Sequence, residues 1–104
     1  MKIPKTLKVG GKTYTVQITD KMDLGINNVS AEILYEDLII RVSPQAPSKM
    51  EADFFHELLH AAFQFLGYRE HDEKRVDELA QVLHMIVTDN PAMFAPAEVG
   101  NHES

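Results

Sequence analysis

Phe54-Phe55-His56-Glu57-Leu58-Leu59-His60-Ala61-Ala62 reads as a helical run with a pair of imidazoles built into it. A helix sets His56 and His60 one turn apart on one face, where both rings reach a single metal ion. Glu57 follows His56 directly and is angled so that its carboxylate can address a water on that ion. The spacing suits a catalytic zinc, which takes few protein ligands and keeps one position open for water. A neighbouring carboxylate then removes the water's proton as it attacks a carbonyl. Five histidines in 104 residues permit a chance pair. The pattern, however, needs three fixed positions inside a helix.

The helix around this run is expected to start at Ser48, because Ser48 followed by Glu51 has the form of a capping box. Met50, Phe54, Leu58, Ala61 and Phe65, with Phe55, Leu59, Ala62 and Leu66 beside them, cover most of its circumference, which predicts burial on nearly all sides. Gly67 ends it. After a short turn Asp72 caps a second helix, expected to run to about residue 88, where Asp89-Asn90-Pro91 stops it. Residues 92–104 show no period and read as an extension to a single domain of residues 1–91.

Before the helices the chain alternates with period two. Thr6-Leu7-Lys8-Val9 and Thr13-Tyr14-Thr15-Val16-Gln17-Ile18-Thr19 flank Gly10-Gly11, which predicts a β-hairpin with Leu7, Val9, Tyr14, Val16 and Ile18 on one face. Residues 20–28 read as a connection. Residues 30–35 and 38–42 follow as two more strands, the second rich in β-branched side chains. Ser43-Pro44-Gln45-Ala46-Pro47 closes the strand region, since proline donates nothing to a ladder. The expected fold is α+β: a small, twisted, mostly antiparallel sheet followed by two packed helices, the first carrying the His56/His60 pair.

Two histidines make a weak site, so a third ligand is expected on the second helix, which must fold back on the first. Its core stripe is Val76, Leu79, Ala80, Leu83, Ile86 and Val87. Glu73, Asp77 and His84 lie on one flank of that stripe, whereas Glu78 points to the opposite side. Glu73 and Asp77 are four apart, so one can bind metal while the other holds a ligand histidine. The competing reading is two acids in a first helical turn, favoured by the dipole. Asp77, His84 and Glu78 remain rivals to Glu73, and His71 reads as an exposed residue of the turn.

Composition narrows the class. Cysteine is absent, which excludes disulfides and leaves His and carboxylate as metal ligands. The net charge is −6, and apart from Lys2, Lys5, Lys8 and Lys12 the basic residues are scattered. No basic stripe for nucleic acid is expected. Neither a signal peptide nor a stretch of membrane-spanning length is read, so the expected setting is cytoplasmic.

The chain resembles small phage- or prophage-type members of the ImmA/IrrE-like zinc metallopeptidases, within the gluzincin group. The resemblance is carried by His56-Glu57-Leu58-Leu59-His60-Ala61, by Glu73, Val76, Asp77, Leu79 and Ala80, by Asp89-Asn90-Pro91, and by Ile3-Pro4-Lys5-Thr6-Leu7-Lys8 through Gly10-Gly11. It implies zinc held by His56, His60 and Glu73, with Glu57 as general base in peptide-bond hydrolysis of a protein or peptide substrate. Larger gluzincins add a domain that supplies a tyrosine or histidine for the oxyanion. None is recognised in this chain, where Tyr35, Tyr68, His71 and His84 are the candidates. A different class of reading is a zinc-stabilised regulatory or interaction module that cleaves little; a third is an α+β domain without metal.

Overall fold

Gly10 and Gly11 join β1 (Thr6–Val9) to β2 (Lys12–Ile18), which pair antiparallel with Val9 opposite Lys12. Gly10 takes a positive φ of 62° and Gly11 does not. That is the pattern of a type II′ turn, whose twist suits the flanking strands. The second hairpin, β3 (Ala31–Leu34) and β4 (Ile39–Val42), also pairs antiparallel, across a four-residue loop in which Leu38 has a φ of 57°. The Leu38 carbonyl accepts a hydrogen bond from the Thr15 amide at 2.8 Å. The two hairpins join through β2 and β4, which run parallel, giving the order β1-β2-β4-β3. The computed structural model describes residues 2–22 and 30–94. Most of the expected connection at 20–28 lies outside them.

One face of this mostly antiparallel sheet carries Tyr14, Val16, Ile40 and Val42, all buried against Phe54 and Ala61 of α1 (Pro47–Phe65). Ile18, expected on that face, ends β2 still paired with Val42 but is 46% exposed. On the opposite face Glu32 and Arg41 are cross-strand partners, their side chains paired at 2.9 Å. Arg41 also donates to Gln17 at 2.9 Å, so the buried Glu32 carboxylate sits in a connected network.

α1 begins one residue before its expected cap. Pro47 occupies the first helical position, Ala46 is the N-cap, and no side chain caps the end. Proline's preset φ starts the helix and its missing N–H removes one orphan donor, which leaves the Ser48 capping box without a role. At the other end Gly67 has a φ of 93°, its amide bonds the Gln64 carbonyl, and the Tyr68 amide bonds the Phe63 carbonyl. This is a Schellman stop. The turn brings the chain to Asp72, which accepts from the Lys74 and Arg75 amides and starts α2 (Glu73–Asp89).

α2 packs on α1 and, among the described residues, on no strand, so the layers run sheet, α1, α2. Phe55, Ala80 and Val87 form the buried seam between the helices, with Leu58, Leu59 and Leu83 against it. A helix with one neighbour can bury only a narrow stripe. Leu79 and Ile86, expected in the core, are therefore 43% and 37% exposed. The all-round burial expected for α1 also fails at its end, where Phe65 and Leu66 are exposed. A short 3₁₀ turn, Pro91–Phe94, continues past the expected domain boundary, and the rest of the extension lies outside the described residues. No described helix is long and apolar enough to cross a membrane.

The Phe65 ring lies where a Cβ on Gly10 would stand. Gly10→Ala is expected to destabilise the fold by about 1–2 kcal/mol, through the left-handed backbone and displacement of that ring. Gly11→Ala has open space and an ordinary φ, and is expected to change stability by about 0.5 kcal/mol or less. Urea denaturation of both variants measures the difference; equal effects would remove the turn assignment.

Candidate metal centre

The antiparallel register of α2 on α1 sets Glu73 beside His56 and His60. Glu73 Oε2 lies 3.2 Å from His56 Nε2, and Glu73 Oε1 lies 2.9 Å from His60 Nε2. One ligand atom from each of the three residues falls within 4.8 Å of the others, a group that could hold a metal ion. The two rings, one turn apart on α1, have centroids 5.0 Å apart. Both Nε2 atoms therefore converge on one carboxylate.

The next turn of α2 places Asp77 Oδ1 3.6 Å from His56 Nδ1, the back of that ring. Asp77 is anchored by accepting from Gln81 at 2.8 Å. His84 sits two turns further along and pairs with Glu51 of α1 at 3.0 Å, with its ring against Phe55. It is not a member of the metal-capable group. Glu78 is exposed and also stands outside it.

His71, read from the sequence as an exposed turn residue and a candidate oxyanion donor, instead lies against His60. Its Nδ1 lies 2.7 Å from His60 Nδ1, its Nε2 lies 3.1 Å from the Tyr68 carbonyl, and its ring stacks on His60 at 5.0 Å. A carbonyl only accepts, so His71 Nε2 carries a proton and donates it to Tyr68. In a neutral His71 the Nδ1 is then bare and accepts from His60 Nδ1–H, which leaves His60 Nε2 with a lone pair aimed at Glu73. A lone pair and a carboxylate oxygen at 2.9 Å repel unless a cation lies between them: a proton, or a metal ion. Burial pushes the His60 imidazole below its ordinary pKa, the Glu73 carboxylate pulling the other way. The donor set therefore fits a divalent ion. Ligand atoms on a tetrahedral zinc stand roughly 3.3 Å apart; the contacts of His56 and His60 to the two Glu73 oxygens are 3.2 and 2.9 Å, and the three-residue set spreads over as much as 4.8 Å.

Glu57 is buried, at 7% exposed. Burial first, and then the charges of Glu73, Asp53 and Glu32, push its carboxyl up to about 8. Glu57 shares a small open cleft with His56, Asp77, Asp53, Ser30 and Ala31. Tyr35, in the β3–β4 loop, stands edge-on to His71 at 6.3 Å. Burial, then Glu57, Tyr14 and Glu73, push its phenol up to about 12, so it stays an O–H donor near the centre. Of the other oxyanion candidates, His71 is engaged by His60, His84 by Glu51, and Tyr68 is 59% exposed against Phe63. Comparison of the chain with family models, with curated proteins and with solved structures gave no match.

Among changes to α2 and the turn before it, Glu73→Gln is expected to weaken metal binding most, and Asp77→Asn and His71→Ala by about 10–100-fold, as for residues that orient ligands. Glu78→Gln is expected to leave it unchanged. Competition titration against a chelating dye measures all four, and a loss at Glu78 equal to that at Glu73 would overturn the geometry. In metal-free protein, Glu57 also sets a pH dependence. Its folded value near 8 stands above the ordinary 4.5, so the unfolded chain loses this proton first as pH rises. Stability should fall between those values, and Glu57→Gln should gain Tm relative to the parent at pH 8 but not at pH 4. Parallel pH profiles of the two proteins in chelator would refute this.

Proposed function

We propose that this protein is a zinc-dependent metallopeptidase that hydrolyses peptide bonds of a protein or peptide substrate. The observation that carries the reading is the convergence of His56, His60 and Glu73, with the buried Glu57 sharing a cleft with His56. Zinc bound there would supply an acidified water and polarise a carbonyl. His56 and His60 present Nε2 and Glu73 presents a carboxylate oxygen, with Asp77 and His71 holding the rings from behind. Glu57 takes the proton of the attacking water and passes it to the leaving amine. A carboxyl poised near neutral pH serves both halves of that exchange. Tyr35 has a phenol that stays protonated and is the best-supported donor to the developing oxyanion.

The first test is metal content, by mass spectrometry, of protein purified without an immobilised-metal column. About one zinc per chain is expected, abolished in His56→Ala and in His60→Ala. Glu57→Gln then separates binding from chemistry. Zinc and fold are expected to persist while casein or peptide cleavage falls on the order of a hundred- to ten-thousand-fold. Zinc lost with Glu57→Gln would make Glu57 a ligand and overturn its role as base. Zinc retained with no chelator-sensitive cleavage in the parent would favour a zinc-stabilised interaction module instead.

A further inference from the structure

Leu79, Val82 and Ile86 are 43%, 48% and 37% exposed along one side of α2. They are spaced three and four residues apart, the rhythm of a helix–helix seam. The same rhythm continues to Arg75 at one end and Asp89 at the other. Three apolar side chains are thus bracketed by a cation near the helix start and an anion at its end. The buried seam of α2 with α1 uses Ala80, Leu83 and Val87; Val82 and Ile86 stand outside it, and Leu79 and Arg75 line an open cleft with Phe63 and Tyr68 at its edge.

We propose that this row is a self-complementary dimer interface, in which α2 packs antiparallel on α2 of a second copy about a two-fold axis near Val82. Charge selects both the occupant and the direction. Antiparallel pairing brings Arg75 of one copy beside Asp89 of the other, twice per dimer, whereas parallel pairing would set like charges together. A partner of one sign would satisfy only one end of the row. At 17 residues, α2 is about 26 Å long, so the contact lies at the small end of specific interfaces. A dissociation constant on the order of 10–100 µM is expected for it. Val82 lies about 180° around the helix from Glu73, so the dimer leaves the metal centre open. The interface does not depend on the peptidase reading.

Sedimentation equilibrium of the full chain, from about 1 µM to about 1 mM, reads the association directly. Val82→Glu, at a half-exposed position, is expected to leave the fold intact by circular dichroism and to abolish the dimer. Arg75→Asp and Asp89→Arg are each expected to weaken it at least about tenfold by placing like charges together. Each also suits the helix dipole, so a loss would not come from a weakened helix. The double variant Arg75→Asp/Asp89→Arg is expected to recover the parent's association. A chain that stays monomeric to 1 mM, or a dimer that survives Val82→Glu, or a double variant as weak as the singles, overturns the proposal.

Discussion

A slip of one residue between α1 and α2 would turn Glu73 about 100° away from the two imidazoles that it now faces. The helix–helix register is therefore the constraint on which the centre rests. It is held at several points: Phe55 against Ala80 and Val87, His84 on Glu51, and Asp72 fixing where α2 begins. The Schellman stop at Gly67 sets the direction in which the chain returns. The turn it opens also contains His71. The same turn that sets the register thus supplies the ring that orients His60. A register error and a tautomer error would occur together.

Negative charge gathers around this register. Glu57 is buried with Glu73, Asp53 and Glu32 as its electrostatic neighbours. Glu32 is answered by Arg41, and Asp53 by Lys49 at 2.5 Å and by Gln45 at 2.8 Å. Among the described residues Glu73 pairs with the His56 and His60 imidazoles. A divalent cation beside Glu73 would lower the cost of ionising Glu57, because it adds an opposite charge where a like charge now acts. On the proposed function, metal binding and ionisation of Glu57 would be coupled through that one carboxylate.

Much of this could be read from residue order because it is local. Gly10-Gly11, Gly67, Asp72 and the Asn90-Pro91 pair each impose a backbone geometry wherever they occur, and the elements begin or end beside them. The His56/His60 spacing needs only a helix to become one face. What was not legible depends on neighbours. Pro47 and Ser48 both signal a helix start, and the proline's fixed φ prevails. Burial of Leu79, Ile86 and Phe65 was overestimated because periodicity counts apolar faces, not the elements available to cover them. His71 lies in a turn with no period, so no face could be assigned to it. The only hint was a histidine directly before the cap of the helix that carries Glu73.

Glu73, Ala80 and Val87 stand seven residues apart on α2, so one strip meets the imidazoles at its start and packs on α1 further along, with Asp77 beside it at His56. The far side of the same helix carries the part-exposed Val82 and Ile86, flanked by Leu79, apolar between the opposite charges of Arg75 and Asp89. Solvent alone does not favour that arrangement. Packed on its own copy as proposed, this row would bury its apolar centre and satisfy both ends, while the opposite side of the helix keeps Glu73 and Asp77 beside the imidazoles.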